Sequence, residues 1–569
     1  MEFDISKIPF SRFGSYFALS SNPDREEVYL RDLHGGDEKE SKLFTIKLLK
    51  DNIPQRMLAK GKETHLTIYE NEKGDSYIEI CIPFENQLHI LVKNTQLSLR
   101  AHKSRYDSIM ALGDDTYEYH VYYKELKLKI SLIKGNMEVD APWKVIGNDY
   151  IQIRVDDGDD DYAHIVIESY KTVSTNKDYI DFYEAKELVK RKYDTWLENM
   201  PLVPSRYRRS RELASYITWS SVVGKSGLLK DYAMYMSKNW MNNIWSWDNC
   251  FNALMLAEKF PSLAYSQYRI FIDHQDESGT YPDFVNDQFV SYNCTKPPIF
   301  PYFYKLMMDR NDYFKDEERL LEAYNSFKRM LHYWLNYRCF DGALPHYRHG
   351  NDSGWDNASI FHEGMPVEAP DLSAHLIRSL DSMAYFAQIL GLEGDRIKYR
   401  EQADKLYKRL MERLYDEEGF YARVGYRGER VNNRDSLILR LPIIIGYRLE
   451  DKVLDGLVKD LVANFESRYG LTTERMDSPF YNSKGYWLGP IWAPVTFLFV
   501  EALCRYGYEE EGLRIAEKFL ELTLLGGMAE NFHPITGEGL VDPAFTWTSS
   551  VFLLLGEKIY RHKEDKDNA

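Results

Sequence analysis

The sequence predicts two kinds of structure in one chain: an antiparallel β-sandwich over residues 1–180 and an all-helical domain over residues 205–569. Its length of 569 residues exceeds what one simple core accommodates. Apolar residues alternate with polar ones in the first part and recur with helical spacing in the second. Nine of the eleven tryptophans lie beyond residue 200, so the composition changes where the predicted structure changes.

Short runs of alternating residues mark the first domain. Ile78, Ile80 and Ile82 alternate with the residues between them, and the segment 126–132 repeats this pattern. Several strands at such spacing are typical of a sandwich. The acidic run at 156–161 lacks the alternating ligands of an EF-hand loop, so a solvated hairpin tip is favoured over a calcium site.

Helical patterns fill the second domain. A charged segment at 181–204 predicts a helical linker, and the segment after Pro370 places Leu372, Leu376 and Leu380 on one face. With weaker segments, the patterns predict about a dozen helices, many paired as hairpins. Similar periodicity predicts helices at 209–222, 248–259, 262–274, 317–337, 397–415, 493–506 and 511–525.

Charge and cysteine usage limit the possible partners. A net charge of -16 argues against a nucleic-acid backbone or an anionic membrane as the main partner. The five cysteines are scattered and form no CxxC pair, which favours a reducing compartment. The first residues lack a signal-peptide pattern, and the apolar runs are too short to span a bilayer. We therefore expect a cytoplasmic protein that needs no cofactor or metal, with its oligomeric state left open.

The loops between the predicted helices combine tryptophans with carboxylates and amides. An indole packs on the C–H face of a sugar ring, while carboxylates and amides bind its hydroxyls. A single such loop is best explained by a tryptophan that closes a helix end, but five of them together favour a carbohydrate site. The five loops lie at 245–249, 275–283, 353–359, 486–492 and 528–534.

Asp356 and Glu530 are the two carboxylates with the most mixed aromatic and amide surroundings. Such surroundings favour a partly desolvated carboxyl at Asp356, with a raised pKa. A glycosidase needs one protonated acid and one ionised carboxylate on opposite faces of the bond. The competing carboxylates, among which Asp371 is best explained as a helix cap, are Asp248, Asp283, Asp371 and Asp542.

The ordered motifs WSWDN, SGTYPD with KPP, SGWDNAS, PDLSAHL, YWLGPIW and AENF resemble glycoside hydrolase family 63 over residues 240–550. The branch is that of bacterial α-glucosidases and mannosylglycerate or glucosylglycerate hydrolases, with the family 37 trehalases more distant. The resemblance implies an (α/α)6 barrel that hydrolyses α-glycosidic bonds with inversion. The substrate it implies is a small α-glucoside or α-mannoside, such as a disaccharide, an oligosaccharide or a glycosylglycerate. The β-rich first domain departs from the compact mannosylglycerate-type enzymes.

The resemblance also implies roles for single residues. It makes Asp356 the general acid and Glu530 the general base. An acidic aglycone would need a nearby cation, for which the candidates are Lys296, Arg348 and Arg434. A non-catalytic carbohydrate-binding protein and a trehalase or phosphorolytic enzyme on the same barrel remain alternatives. The expected substrate contacts are Trp245, Trp247, Asp248, Gln275, Gly354, Trp355, Tyr486 and Trp487.

Overall fold

The computed structural model of the protein describes residues 1–567 except 23, 25, 73 and 175–177. Its contacts define two compact units. The first comprises Met1–Asn199, Ser215–Asn243 and Asn286–Gln288, and the second comprises Met200–Ala214, Ile244–Val285 and Phe289–Ala569. The chain thus passes between the units several times, whereas the sequence analysis predicts one linker at 181–204. Within the described ranges, no helix is both long enough and apolar enough to cross a membrane.

Sixteen strands of the described chain form the two antiparallel sheets of the first unit, with nine and seven strands. In chain order they are β1 (Glu2–Asp4), β2 (Phe17–Asn22), β3 (Glu27–Asp32), β4 (Lys42–Lys50), β5 (Ile53–Pro54), β6 (Leu58–Lys62), β7 (Leu66–Tyr69), β8 (Tyr77–Phe84), β9 (Gln87–Lys93), β10 (Gln96–Ala101), β11 (Ser108–Gly113), β12 (Thr116–Val121), β13 (Leu126–Lys134), β14 (Asn136–Asp140), β15 (Gln152–Asp156) and β16 (Ala163–Tyr170).

The nine-stranded sheet has the order β1-β6-β7-β8-β9-β16-β13-β12-β11, and the other has the order β14-β15-β10-β4-β3-β2 with β5 beside β4. The alternating isoleucines lie on β8, where Ile80 pairs with Ile90 of β9. The acidic run at 156–161 connects β15 to β16, which lie in different sheets. The hairpin-tip prediction for this run is therefore wrong, because the two strands that flank it do not pair with each other.

Twelve α-helices occur in the described part of the chain. In order they are α1 (Phe182–Glu198), α2 (Arg208–Ser220), α3 (Asp248–Leu256), α4 (Pro261–Asp273), α5 (Phe300–Arg310), α6 (Glu317–His332), α7 (Pro370–Ile389), α8 (Glu393–Leu414), α9 (Asp451–Asn464), α10 (Ala493–Arg505), α11 (Glu509–Gly526) and α12 (Thr546–Asp567). A 3₁₀ segment, Leu437–Arg448, precedes α9 and contains Pro442.

Six helical elements of the second unit form a closed inner ring. Its members are α3, α5, α7, the 3₁₀ segment, α10 and α12; each contacts the next, and α12 contacts α3. The helices α4, α6, α8, α9 and α11 follow ring members along the chain, as expected for a barrel of helical hairpins. The predicted all-α barrel preceded by a β-rich domain is confirmed.

Small antiparallel sheets of two or three short strands connect the loops that follow α2. They are β17 (Val222–Val223) with β18 (Ala233–Met234), β19 (Ile244–Trp245) with β20 (Phe284–Val285) and β21 (Val290–Ser291), β22 (Val367–Glu368) with β25 (Arg423–Val424) and β26 (Glu429–Arg430), β23 (Tyr415–Asp416) with β24 (Gly419–Phe420), and β27 (Ile491–Trp492) with β28 (Asn531–Phe532) and β29 (Gly539–Leu540). The ring helices α5, α7 and α10 have a proline in their first turn, where a missing N–H costs no hydrogen bond.

Candidate active site

The loop before α3 carries Trp245, Trp247 and Asp248. Trp245 lies on β19 opposite Phe284 and is half-buried, with the two ring centroids 5.4 Å apart. Asp248 is the first residue of α3 and is buried. Burial raises the pKa of Asp248 to about 8, Lys296 opposes the shift, and two neighbouring carboxylates add to it. The carboxyl of Asp248 is therefore protonated more readily than that of an exposed aspartate.

The loop that carries Asp356 is fixed by a buried carboxylate, Asp352. The Asp352 side chain accepts hydrogen bonds from the backbone N–H groups of Arg348 at 2.9 Å, His349 at 3.1 Å and Thr295 at 3.0 Å. Arg338 lies 3.0 Å from the same carboxylate. The turn that precedes Asp356 is thus tied to two other segments, and Asp356 itself is half-buried.

Gly354 packs directly against the ring of Trp247. Its φ is +71°, and a Cβ at this position would lie 2.5 Å from a ring carbon of Trp247. Both the left-handed backbone and the close approach require glycine. Gly354 therefore joins the loop that carries Asp356 (the acid loop) to the loop before α3.

Asn357, next to the predicted acid, holds the loop that contains Tyr486. Its amide group donates to the Gly485 carbonyl at 3.0 Å, and its oxygen accepts from the Trp487 N–H at 3.0 Å. Tyr486, held between these bonds, has a φ of +65°, which is rare for a side-chain-bearing residue. Its hydroxyl donates to Oε1 of Glu530 at 2.9 Å.

Glu530 lies at the start of a short sheet. Trp492 on β27 pairs with Asn531 on β28, and the Glu530 N–H donates to the Asp542 carbonyl at 2.7 Å. The side chain is buried, and its second oxygen, Oε2, has no partner within the described structure. Burial raises the pKa of Glu530 to about 7; the Tyr486 hydroxyl opposes the shift, and the charges of Asp542 and Asp356 add to it. Asp356 and Glu530 are therefore within electrostatic reach of each other.

Five tryptophans link these loops in one continuous chain. Trp487 stacks on Trp492 with centroids 3.9 Å apart, and it also lies 4.9 Å from Trp355. Trp547 lies 5.5 Å from Trp492 and 6.0 Å from Trp247. All five of these tryptophans are buried. The predicted sugar contacts of Trp247, Trp355 and Trp487 remain predictions, and Trp245 and Tyr486 are more open.

Gln275 and two of the candidate cations, Arg348 and Arg434, are engaged elsewhere in the protein. The Gln275 amide nitrogen donates to the carbonyls of Gly279 at 2.7 Å and Ser326 at 2.9 Å. Arg434 pairs with Asp416 at 2.6 Å. Arg348 donates to the Tyr337 carbonyl. The competing Asp371 lies in the first turn of α7, behind the N-cap residue Ala369, and accepts the hydroxyl of Tyr347 at 2.7 Å.

Two residues of the site were not predicted in their observed roles. Asn357 belongs to the predicted SGWDNAS loop, but its bonds to a loop 128 residues away leave no signal in the sequence. Lys296 is predicted only as a possible receptor for an acidic aglycone. Its side chain is only 8% exposed, lies 3.1 Å from Asp283, and interacts electrostatically with Asp356 and Asp248. Its position directly before two prolines, at the start of a ring helix, was the available signal.

Comparison with known proteins identifies the family of this part of the chain. Residues 241–548, which contain all of its loops, match the family described as the mannosylglycerate hydrolase MGH1-like glycoside hydrolase domain. The chain belongs to this family. Membership confirms the resemblance to glycoside hydrolase family 63 that the motifs indicated.

Two curated relatives of this chain are mannosylglycerate hydrolases. That of Rubrobacter radiotolerans is 28% identical over 215 residues, which are 36% of this chain and 47% of the relative. MGH2 of Selaginella moellendorffii is 35% identical over 85 residues, which are 15% of this chain and 17% of the relative. The chain therefore spans less than half the length of these relatives.

Two solved structures share the fold. The family 63 mannosylglycerate hydrolase of Thermus thermophilus, in complex with glucose, superposes with a TM-score of 0.53 and 18% identity, covering 60% of this chain and 99% of its own. A bacterial glucoamylase complexed with acarbose superposes with a TM-score of 0.64 and 12% identity, covering 98% of this chain and 94% of its own. The second likeness extends over the β-rich part as well as the barrel.

Proposed function

We propose that the protein is an inverting glycoside hydrolase that cleaves the α-glycosidic bond of a small α-glucoside or α-mannoside. The observation that carries the proposal is that the loop of Asp356 and the side chain of Glu530 both bond to the segment around Tyr486. Asn357 and Tyr486 connect the two loops by hydrogen bonds. Membership of a glycoside hydrolase family supports the same reaction.

In the proposed mechanism Asp356 donates its proton to the glycosidic oxygen while the bond from that oxygen to the anomeric carbon breaks. A water oxygen forms the new bond to the anomeric carbon from the opposite face and gives its proton to Glu530. The leaving group departs as an alcohol, and solvent returns the proton from Glu530 to Asp356. An inverting pair stands about 6.5–9.5 Å apart, which leaves room for the water.

Glu530 suits the role of base because one of its oxygens is held and the other is unpartnered in the described structure. Tyr486 bonds Oε1, so Oε2 is the oxygen that would receive the proton of the water. A base must be ionised. Because burial raises the pKa of Glu530 to about 7, activity should increase as the pH passes upward through this value.

The remaining polar groups suit the sugar. The raised pKa of Asp248 favours its protonated form, which can donate a hydrogen bond to a sugar hydroxyl oxygen, whereas a carboxylate cannot. Trp245 is half-buried and offers an apolar ring next to it. We propose that these two residues bind the sugar whose bond is cleaved.

The test distinguishes the roles of Asp356 and Glu530 by comparing substrates whose leaving groups differ in their need for protonation. A panel of maltose, kojibiose, trehalose, glucosylglycerate and mannosylglycerate identifies a natural-type substrate, and α-D-glucosyl or α-D-mannosyl fluoride provides a leaving group that needs little protonation. Asp356→Asn should lower kcat on the disaccharide or glycosylglycerate by about 100- to 10,000-fold, and on the fluoride by much less. Glu530→Gln should lower both, because both reactions need the activated water.

The matched control is Asp309→Asn on α5, an exposed carboxylate that pairs with Lys305. It should match the unmodified enzyme on every substrate. Full activity of Asp356→Asn or of Glu530→Gln would refute the proposed pair. Binding of sugars without hydrolysis of any of these compounds would favour a non-catalytic carbohydrate-binding protein instead.

A further inference from the structure

We propose that Lys296 is a positioning residue of this site: it joins the loop of Asp356 to the loop of Asp248 and places a positive charge near their side chains. The inference rests on the proposed function. In this role Lys296 contacts other residues of the protein, whereas the sequence suggested that it binds an acidic aglycone.

Lys296 is bonded to two segments that are far apart in the chain. Its ammonium group lies 3.1 Å from Oδ1 of Asp283 and donates to the Asn351 carbonyl at 2.8 Å. The two side chains of the ion pair are only 8% and 11% exposed. The contact is therefore shielded from solvent, where both its geometry and its charge carry more weight than at a surface.

Each of the two contacts leads to a loop that carries site residues. The Asp283 carbonyl accepts from the N–H of Ser246, the residue between the two tryptophans of the loop before α3, at 3.0 Å. Asn351 lies in the 3₁₀ turn Gly350–Ser353 that precedes Asp356. Thr295, the neighbour of Lys296, donates its N–H to Asp352 in the same turn at 3.0 Å. Residues 295 and 296 thus hold the acid loop from one side.

The charge of Lys296 is divided among several carboxylates. Burial acts to lower the pKa of Lys296, but Asp283, Asp356 and Asp248 outweigh it and raise this pKa, so the side chain remains an ammonium at neutral pH. Burial raises the pKa of Asp283 although Lys296 opposes it, and Asp356 and Asp352 contribute to the increase. The ammonium group of Lys296 therefore interacts with more than one carboxyl group.

This arrangement predicts which step suffers when Lys296 is lost. Without the two contacts the acid loop can shift against the sugar-binding loop, and a displacement near 1 Å at a reacting group costs about 100-fold in rate. The fall in kcat should be large for a glycoside, whose leaving group needs protonation, and small for a glycosyl fluoride, whose leaving group does not. Removal of the positive charge should also favour the protonated forms of the nearby carboxyls.

The experiment uses Lys296→Met on the full chain, with the best disaccharide or glycosylglycerate of the panel and the matching glycosyl fluoride. We expect kcat on the former to fall by about 100-fold and on the fluoride by less than about tenfold. The basic limb of the pH profile of kcat/KM should move to higher pH. Lys305→Met, which removes a half-buried lysine of α5 that pairs with Asp309, is the control and should change neither quantity.

A double variant separates charge from position. In Lys296→Met with Asp283→Asn the lost cation is compensated by a lost carboxylate, so the basic limb should return towards its original pH while the loss of kcat on the disaccharide persists. This neutral pair also tests the inference if Lys296→Met alone fails to fold. Circular dichroism and Tm report the folding of each variant.

The inference is overturned if Lys296→Met loses activity equally on both substrates, or if its basic limb does not move. It is also overturned if the double variant leaves the limb where the single variant put it. Failure of the proposed function gives a different result, because the unmodified protein would then hydrolyse none of the compounds.

Discussion

Each unit of the molecule contains a lysine–aspartate pair with little exposure to solvent. The pKa of the aspartate is lowered in one pair and raised in the other. In the β-rich unit Lys124 lies 3.5 Å from Oδ1 of Asp32, with side chains 0% and 1% exposed. In the helical unit Lys296 lies 3.1 Å from Asp283, with side chains 8% and 11% exposed. Residue types and burial are alike, so the difference arises from the other groups around each pair.

The pair of the β-rich unit is closed. Burial alone would raise the pKa of Asp32, but His34 and Lys124 outweigh it and hold this pKa at about 2. Lys124 also donates to the carbonyl oxygens of Asp32 at 2.8 Å and His34 at 3.1 Å, which satisfies its ammonium group. Asp32 thus faces two basic groups, and the Lys124 ammonium faces Asp32 and two carbonyl oxygens, as expected for an ion pair that supports a fold.

The pair of the helical unit is shared, since Lys296 also interacts with Asp356 and Asp248. The pKa of Asp283 is raised in spite of Lys296, because Asp356 and Asp352 add negative charge to the same buried region. Carboxylates with raised pKa values, gathered around too few cations, are typical of sites that move protons. The comparison shows that the burial of an ion pair does not reveal its role, whereas the number of charges that share it does.

The largest expected effect is the difference between Asp32→Asn and Asp283→Asn. Asp32→Asn leaves Lys124 without its dedicated carboxylate and should lower the free energy of unfolding by about 3–5 kcal/mol. Asp283→Asn leaves Lys296 near Asp356 and Asp248, so it should cost little stability but reduce turnover. Urea unfolding and steady-state kinetics on both variants measure the contrast.

A smaller contribution of Asp32 than of Asp283 to the free energy of unfolding would remove the distinction between a closed and a shared pair. The same holds if Asp283→Asn leaves kcat unchanged. Because the pKa of Asp32 is lowered, its stabilisation should be present above about pH 4 and disappear as the pH falls towards about 2. Asp32→Asn should abolish this part of the pH dependence.

A smaller effect is expected for Tyr486→Phe. The Tyr486 hydroxyl bonds the ionised form of Glu530 and so lowers its pKa against the effect of burial. Without this donor the pKa of Glu530 should increase, and the acidic limb of the pH profile of kcat/KM should move to higher pH. Tyr481→Phe is the matched control on the same loop, since the Tyr481 hydroxyl has no hydrogen-bond partner in the described structure. An acidic limb that stays in place in Tyr486→Phe would show that the bond does not tune the base.

The sequence predicted most of the helices, including the fully buried α3, but it did not place α5, α9 or the inner segment Leu437–Arg448. Helices such as α6 and α11 have one buried face, and their patterns were readable. Helix α5 is buried on nearly all sides, so its residues show no amphipathic period. The inner segment Leu437–Arg448 contains Pro442 and is a 3₁₀ helix, which apolar periodicity does not distinguish from a buried strand.

The order of the site motifs was readable, but the contacts between the loops were not. The loops of Asp356 and Glu530 were predicted from their composition and from their resemblance to a family. The Asn357 bond to Gly485 spans 128 residues, and the pairing of Lys296 with Asn351 spans 55, so neither follows from local pattern. The buried chain of indoles was likewise hidden, because a tryptophan that binds sugar and one that supports a loop look alike in sequence.

The central claim is that Asp356 and Glu530 act from opposite faces of the glycosidic bond. Proton NMR of the first product, recorded before mutarotation, tests it most directly. With α-D-glucosyl fluoride or the best α-glycoside of the panel, we expect the β-anomer of the free sugar to appear first. Initial release of the α-anomer would contradict it, because that product requires a covalent intermediate on a carboxylate much closer to its partner.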